Sequence, residues 1–259
     1  MTSTGDLGAI FNLHGMRALV TGASRGLGRA MAESLASAGA DVVCGTTRPG
    51  GARETIEAIQ GLGREGWEVA ADLGDRAAVE KLTLDVEVLA GPIDILVNNA
   101  GTIRRHVAVE YPMADWDVVM HTNLDATFQL CQHFGREMVT RGTGKIINVA
   151  SLLSFSGGIT VPAYTASKHA VAGLTKALAN EWGKHGVQVN AIAPGYFRTD
   201  NTQALQDDES REEQIRARIP AGRWGEPSDL AGAVIFLASR ASDYVNGHVL
   251  TVDGGWMAR

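Results

Sequence analysis

The sequence has few of the features that mark secreted or membrane proteins. Its two cysteines, Cys44 and Cys131, are too few for a framework of disulfides and agree with a reducing compartment. No run of residues approaches the ~20 apolar positions that cross a bilayer. Residues 1–12 lack the basic and apolar regions of a signal peptide. We therefore predict a soluble cytoplasmic protein that has no membrane partner.

Positive charge and metal-ligand patterns are also scarce. Twenty-three Lys and Arg residues against 29 Asp and Glu residues give a formal net charge of -6, and no basic tract interrupts this balance. Such a chain binds polyanions poorly, so we expect no nucleic-acid partner. The seven histidines show no metal-ligand spacing, and the residues around Ser151 lack the glycine pattern of a hydrolase. No metal site is predicted.

Glycine, in contrast, is abundant, at 31 of 259 residues, where an average protein has ~7%. Such an excess indicates tight turns, or backbone that must approach another group closely. A chain of this length fits a single α/β domain. We predict one domain over residues 1–259, with a small insertion on the substrate side around residues 197–225.

Short apolar runs alternate with helical patterns along the chain. Strands are predicted over residues 17–20, 41–44, 67–71, 93–97, 145–149, 187–192 and 249–252, and helices over residues 28–38, 54–62, 77–89, 116–140, 164–184 and 229–238. Continuous apolar strands between helices are typical of a parallel sheet covered on both faces. The polar stretch 207–218 is predicted to be an exposed helix. In this doubly wound α/β class, ligands bind beyond the carboxyl ends of the strands.

The first predicted strand ends in a glycine-rich turn that opens a helix. Residues 21–28 read Thr-Gly-Ala-Ser-Arg-Gly-Leu-Gly. Gly22 permits the sharp turn, Gly26 lets the backbone approach a pyrophosphate, and Gly28 lets the helix pack closely on the strand. The helix N-terminus then offers free N–H groups and its positive dipole end to phosphates. This pattern predicts a dinucleotide-binding site.

The end of the second strand favours NADP(H), with NAD(H) as the alternative. An NAD-binding fold places an acidic residue there to accept a hydrogen bond from the ribose 2′-hydroxyl. This sequence has Thr46, Thr47 and Arg48 instead. A 2′-phosphate is predicted to bind the threonine hydroxyls, Arg48 and Arg25. The alternative is that both arginines are merely exposed.

Ser151, Tyr164 and Lys168 form a group suited to carbonyl–alcohol chemistry. Tyr164 and Lys168 are four residues apart, on one face of a predicted helix, and Ser151 follows a predicted strand. A free tyrosine has a pKa near 10, too high for a base at neutral pH. A lysine ammonium close to the phenol is expected to lower that pKa. Ser151 is predicted to donate a hydrogen bond to the substrate oxygen.

Together these motifs resemble the short-chain dehydrogenase/reductase family over residues 13–259. The resemblance rests on residues 21–28, Asn98-Asn99-Ala100-Gly101, Asn123, Ser151, Tyr164, Lys168 and Pro194-Gly195. It implies a seven-stranded parallel sheet of the Rossmann fold and a homotetramer. It also implies a catalytic tetrad of Asn123, Ser151, Tyr164 and Lys168, in which Tyr164 is the acid and base and Asn123 holds a water beside Lys168.

The resemblance implies a set of cofactor-binding residues as well. Asp72 is expected at the adenine, residues 99–101 along the cofactor, and residues 194–199 at the carboxamide. The full set is Gly22, Ser24, Arg25, Gly26, Leu27, Gly28, Thr46, Thr47, Arg48, Asp72, Leu73, Asn99, Ala100, Gly101, Tyr164, Lys168, Pro194, Gly195 and Thr199.

Residues 103–105, 154–164, 201–203, 219–229 and 253–259 resemble one subgroup of that family more closely than the family pattern requires. This subgroup acts on hexonates of the 2-deoxy-D-gluconate or 2-dehydro-3-deoxy-D-gluconate type, and the implied substrate is a sugar acid. A carboxylate is best held by a guanidinium. The candidate substrate ligands are Ser151, Arg104, Arg105, Gln203 and Arg223, with His106 as a further candidate.

Three alternatives remain open at this point. Gluconate 5-dehydrogenases are close relatives of the subgroup. A 3-oxoacyl thioester reductase uses the same tetrad but needs a basic surface for its acidic carrier protein. A dinucleotide-binding regulator without catalysis would not need the complete tetrad. The terminal Trp256 and Arg259 either reach a neighbouring subunit's site or pack within their own chain.

Overall fold

A single parallel sheet forms the centre of the molecule. The computed structural model describes residues 7–259, except for the side chains of Leu7 and Asn201. Its strands are β1 (Arg17–Thr21), β2 (Asp41–Thr46), β3 (Gly66–Ala70), β4 (Ile95–Asn98), β5 (Gly144–Val149), β6 (Val187–Pro194) and β7 (Val249–Val252). They pair in parallel in the order β3-β2-β1-β4-β5-β6-β7. The predicted seven-stranded, doubly wound sheet is confirmed.

Helices connect the strands on both faces of this sheet. They are α1 (Leu7–Ile10), α2 (Gly26–Ser37), α3 (Arg53–Gly61), α4 (Arg76–Ala90), α5 (Met113–Met120), α6 (Ala126–Arg141), α7 (Pro162–Trp182), α8 (Gln203–Gln206), α9 (Glu209–Arg218) and α10 (Ala231–Ala238). No helix within residues 7–259 is long and apolar enough to cross a membrane. The prediction about a signal peptide concerns residues 1–12, of which residues 1–6 lie outside the described part of the chain.

Alternation along the strands divides the core between the two faces. Leu19 of β1 packs in a cluster with Phe134 of α6, while its neighbour Val20 packs in a second cluster with Leu35 of α2 and Val234 of α10. Successive strand residues point to opposite faces, so a fully apolar strand supplies both clusters. The carboxyl ends of β1 and β4 meet where the strand order reverses, and a crevice is expected there.

Several predicted boundaries differ from the structure by one or two residues, and two of the differences affect the elements around the site. The strand predicted over residues 93–97 is β4, which begins only at Ile95; the carboxylate of the preceding Asp94 accepts a hydrogen bond from the backbone N–H of Arg17 at 2.9 Å. The single helix predicted over residues 116–140 is interrupted by a π-helical turn, His121–Asp125. The spacing of apolar residues in the sequence does not reveal that one turn of a helix contains an extra residue. That residue changes which way the following side chains face.

Gly28 is expected to tolerate no side chain. A Cβ on Gly28 would lie 2.1 Å from the carbonyl oxygen of Gly22 and 2.4 Å from Nδ2 of Asn99. We expect Gly28→Ala to lower the free energy of unfolding by about 1–3 kcal/mol, because the first turn of α2 must move away from β1. Urea denaturation measures this change.

The control is Gly173→Ala on an exposed position of α7, where a Cβ meets no atom within 4 Å. This substitution should raise the free energy of unfolding by about 0.5–1 kcal/mol, since alanine favours helix. Equal stabilities for Gly28→Ala and the wild type would contradict the close packing of α2 on β1.

Candidate active site

The glycine turn after β1 is fixed by a neighbouring asparagine. Gly22 and Gly26 have φ angles of 67° and 57°, in the left-handed region that favours glycine. The side-chain amide of Asn99 donates to the carbonyls of Thr21 and Gly22, at 2.9 and 3.3 Å. Arg25, at the N-cap of α2, provides no side-chain cap. The first N–H groups of α2 therefore lack a capping side chain, as an anion site at a helix N-terminus requires.

The carboxyl ends of β1 and β4 are joined by one hydroxyl. Thr21 Oγ1 accepts hydrogen bonds from the backbone N–H groups of Asn99 and Ala100, both at 3.0 Å. Gly101 follows, and a Cβ there would lie 3.2 Å from Oδ1 of Asn123 and 3.8 Å from Nζ of Lys168. The Asn-Asn-Ala-Gly segment thus connects the glycine turn with the group formed by Ser151, Tyr164 and Lys168.

The remaining predicted cofactor residues lie along the same edge of the sheet. Asp72 and Leu73 follow β3, and the Asp72 carboxylate accepts from the N–H of Gly74 at 2.9 Å. Pro194 ends β6, and the next residue, Gly195, bonds through its N–H to the Val252 carbonyl at 2.9 Å. Thr199 Cγ2 would be 3.6 Å from a Cβ on Gly26. Ser24 and Leu27 are half-buried in the turn and the first helical residues.

At the end of β2 the structure adds a residue that the sequence analysis missed. Thr46 Oγ1 lies 3.0 Å from Oε1 of Glu68 and 3.0 Å from the carbonyl oxygen of Arg48. Glu68 comes from β3, so the sequence around β2 did not indicate a carboxylate here. Thr47 and Arg48 have exposed side chains. Arg25 pairs with Asp200 at 3.0 Å across the crevice.

Lys168 is buried at the carboxyl end of β5. Its ammonium donates to the carbonyl of Val149 at 2.6 Å, and the side chain is 4% exposed. Burial lowers the pKa of Lys168 to about 8, because the charged form is poorly solvated there.

Tyr164 differs from the sequence-based expectation. Burial raises its pKa, and the hydrogen bond with Ser151 and the positive charge of Arg105 offset this only in part. We expected Lys168 to lower this pKa. Its ammonium instead bonds to the Val149 carbonyl and lies 5.6 Å from the centre of the Tyr164 ring. A raised pKa keeps the Tyr164 phenol protonated, as a proton donor requires.

Asn123 joins the Asn-Asn-Ala-Gly segment to the helix that carries Tyr164. It lies in the π-helical turn, and its side chain pairs with both backbone groups of Thr102, at 2.8 and 3.0 Å. Its Nδ2 also donates to Ser167 Oγ at 3.1 Å. Ser151 is the N-cap of the turn Leu152–Ser154 and accepts from the N–H of Leu153 at 3.2 Å. The water that the resemblance implies at Asn123 stays a prediction.

The structure distinguishes Arg105 from its neighbour Arg104. The Arg104 guanidinium donates to Thr102 Oγ1 at 3.1 Å and lies 3.6 Å from Asp115, which also binds His106 at 2.6 Å. Arg105 is exposed, makes no ion pair with a described carboxylate, and acts electrostatically on Tyr164. Of the two adjacent arginines, Arg105 is therefore the one whose guanidinium has no ion-pair partner among the described residues.

The other predicted substrate residues have partners of their own. Arg223 binds Asp229 through two hydrogen bonds of 2.6 and 3.0 Å, and the Gln203 amide donates to Asp207 at 2.8 Å. Trp256 packs on Tyr196, with a ring-centre distance of 4.7 Å, and Arg259 donates to the carbonyl of Ala217 at 3.1 Å. The C-terminal residues therefore contact residues 196–225 of their own chain. No cluster of potential metal ligands occurs among the described residues.

The fold and this set of side chains define a dehydrogenase of the Rossmann class. Residues 22–257 match a family model described as enoyl-(acyl carrier protein) reductase, and the chain belongs to the short-chain dehydrogenase/reductase family. A Bacillus subtilis 2-dehydro-3-deoxy-D-gluconate 5-dehydrogenase is 53% identical over 98% of this chain and 100% of its own.

Two solved structures are similar over nearly their whole length. One is a candidate 2-deoxy-D-gluconate 3-dehydrogenase from Agrobacterium tumefaciens with bound NADP, at 53% identity and a TM-score of 0.91, with 96% of this chain and 99% of that one covered. The other is a Burkholderia cenocepacia gluconate 5-dehydrogenase in complex with NADP and tartrate, at 41% identity and a TM-score of 0.94, with 98% and 100% covered.

Replacing Lys168 should change how stability depends on pH. The pKa of Lys168 falls from 10.5 to about 8 on folding, so between these values the unfolded chain binds more protons than the folded one. Stability due to this group therefore rises with pH in that window. We expect the wild type to gain about 2–3 kcal/mol over Lys168→Met between pH 8 and 10.5. Urea denaturation at several pH values measures the difference, and a flat difference would contradict the shift.

Proposed function

We propose that the protein is an NADP(H)-preferring oxidoreductase that interconverts a secondary alcohol and a ketone on a sugar acid. The substrate class is 2-dehydro-3-deoxy-D-gluconate or 2-deoxy-D-gluconate. One observation carries the proposal: the ammonium of buried Lys168 lies 5.6 Å from the centre of the Tyr164 ring, at the end of the strand that Ser151 follows, and Ser151 and the charge of Arg105 both act to lower the pKa of Tyr164. These groups supply a proton donor, an oxygen-binding hydroxyl and a carboxylate ligand in one place.

The residues of the crevice fit a dinucleotide. The uncapped N-terminus of α2 suits a pyrophosphate, and Gly22, Gly26 and Gly28 give the close backbone approach that it needs. Thr47 and Arg48 are exposed at the end of β2, where a 2′-phosphate would lie. The other residues of the predicted set, from Asp72 to Thr199, line the same edge. When bound, NADPH supplies the hydride for reduction of the ketone.

The chain's own residues handle the proton and the oxygen. In the reductive direction Tyr164 donates its phenolic proton to the substrate oxygen, while the hydroxyl of Ser151 donates a hydrogen bond to the same oxygen. The raised pKa of Tyr164 favours this direction at neutral pH. Lys168 provides positive charge beside the tyrosine, and Asn123 fixes the helix that carries both residues.

Arg105 is proposed to bind the substrate carboxylate. Its neighbours are anchored on both sides: Arg104 bonds to Thr102, and the N–H of His106 donates to the Thr160 carbonyl at 3.0 Å. Arg105 between them is exposed, pairs with no described carboxylate and acts electrostatically on Tyr164. Because Arg223 and Gln203 are paired elsewhere, they would need to exchange partners before binding substrate.

The relatives support a sugar acid over the alternatives. Relatives at 50–53% identity are 2-dehydro-3-deoxy-D-gluconate 5-dehydrogenases. A gluconate 5-dehydrogenase from Gluconobacter oxydans is 46% identical, so gluconate is the nearest alternative substrate. A structure of a 3-oxoacyl-(acyl-carrier-protein) reductase with NADP bound is 33% identical, which makes a thioester substrate the weaker proposal. We further propose one catalytic domain, a homotetramer and a cytoplasmic location.

Tyr164→Phe tests the proton transfer. Removing the phenolic hydroxyl should lower kcat for reduction of 2-dehydro-3-deoxy-D-gluconate type ketones by about 10²–10⁴, and leave the affinity for NADPH within about threefold. NADPH oxidation on a panel of keto acids measures the first effect, and fluorescence titration measures the second. The control is Tyr244→Phe, because the Tyr244 side chain is fully exposed.

Two results would overturn this assignment. Turnover within tenfold of the wild type in Tyr164→Phe would remove Tyr164 from the reaction. A wild-type protein that binds NADPH but oxidises it with no member of the panel would favour the regulator without catalysis.

Arg105→Met tests the carboxylate contact. A lost charge-assisted hydrogen bond is worth about 1.5–3 kcal/mol, so KM for the acid substrate should rise about 10- to 100-fold. KM for a neutral ketose should stay within about threefold. The matched control is Arg104→Met, whose guanidinium contacts Thr102 and Asp115 instead. Equal increases in KM for the acid and the neutral substrate would contradict the assignment of Arg105.

A further inference from the structure

The carboxylate of Glu68 makes hydrogen bonds to the loop between β2 and α3. Glu68 of β3 accepts hydrogen bonds from the N–H of Gly50 at 2.8 Å and the N–H of Ala52 at 2.9 Å. Its Oε1 also lies 3.0 Å from Thr46 Oγ1. Glu68 therefore binds the residue before this loop and two residues within it.

These contacts determine whether the Thr46 hydroxyl can donate a hydrogen bond to a ligand. A threonine hydroxyl has one proton to donate. Thr46 Oγ1 has two acceptors at 3.0 Å, the Glu68 carboxylate and the Arg48 carbonyl. The proton of Thr46 is thus committed within the protein, and a phosphate, which only accepts hydrogen bonds when fully ionised, gains little from this hydroxyl. The donors left for a 2′-phosphate at this end of β2 are those of Thr47 and Arg48.

Glu68 remains an anion under working conditions. Partial burial raises the pKa of Glu68, but the hydrogen bonds from Ala52, Gly50 and Thr46 together lower it by more. The pKa of Glu68 therefore lies below its ordinary value. The same hydrogen bonds offset its negative charge. A carboxylate next to a phosphate-binding loop is tolerable when its oxygens already face N–H and O–H donors.

We propose that Glu68 is a positioning residue for recognition of the cofactor's 2′-phosphate. It holds residues 48–52 in the conformation in which Thr47 and Arg48 face the phosphate, and it does not touch the phosphate itself. This inference rests on the proposed use of NADP(H). It gives the second-strand motif a partner on the third strand, 22 residues further along the chain.

The test compares two probes that differ by one phosphate, 2′,5′-ADP and 5′-AMP. In Glu68→Gln an amide nitrogen replaces one acceptor oxygen, so Gly50 or Ala52 loses its partner. We expect the Kd of 2′,5′-ADP, measured by titration calorimetry, to rise about tenfold, and that of 5′-AMP to stay within twofold. The matched control is Glu57→Gln, which removes the same charge from α3 at an exposed ion pair with Arg53. Both of its Kd values should stay unchanged.

A second variant keeps the test independent of how well Glu68→Gln folds. Arg48→Met removes one of the two side chains that Glu68 is proposed to hold toward the phosphate, so it should raise the Kd of 2′,5′-ADP about tenfold and leave that of 5′-AMP within twofold. An unchanged Kd of 2′,5′-ADP in Arg48→Met would mean that this loop does not contact the phosphate, and it would overturn the inference.

Each remaining outcome also has one meaning. Equal weakening of both probes in Glu68→Gln would reduce Glu68 to a structural role and overturn the inference. Tighter binding of 2′,5′-ADP by that variant would show that Glu68 repels the phosphate, which also overturns it. A wild type that binds 5′-AMP as tightly as 2′,5′-ADP would instead refute the cofactor preference under Proposed function, and the positioning role would fall with it.

Discussion

The junction between the carboxyl ends of β1 and β4 is the contact on which the site depends. Thr21 Oγ1 receives two backbone N–H groups from the segment after β4, and Asn99 returns its amide to the carbonyls of the glycine turn. Both strands are buried and their ends cannot separate without breaking these bonds. The glycine turn and the group formed by Ser151, Tyr164 and Lys168 are held in a fixed relation because they lie on opposite sides of this junction.

Lys168 is a charged side chain that the fold buries at the carboxyl end of β5. Its ammonium has one short bond, to Val149, and the fold keeps it in a place that disfavours its charge. A buried lysine with a perturbed pKa is a candidate for a functional role. Burial also raises the pKa of Tyr164, whereas the sequence led us to expect that the charge of Lys168 lowers it.

Continuous apolar runs and the glycine turn made most of the fold predictable. β7 was predicted at its observed bounds, and β1, β3 and β5 within one residue at each end. Ser151, Tyr164 and Lys168 were selected from local spacing and a strand end, and Asn123 from the family resemblance; their catalytic roles stay predictions. Glu68 was missed because its role depends on which strand lies beside β2, and no local pattern reports that pairing. Likewise, the sequence does not show that, among the described residues, Arg105 lacks a carboxylate partner while Arg104 has one, because these contacts form only in the folded chain.

The π-helical turn at Asn123 carries a consequence for insertions and deletions. It contains one more residue per turn than the helices on either side, and each residue in a helix turns the chain by about 100°. Removing one residue from 121–125 would leave an ordinary, well-formed helix. Asn123 would then point away from Thr102 and Ser167. A single deleted codon in this segment is therefore expected to spare folding and yet detach the segment after β4 from the helix of Tyr164 and Lys168.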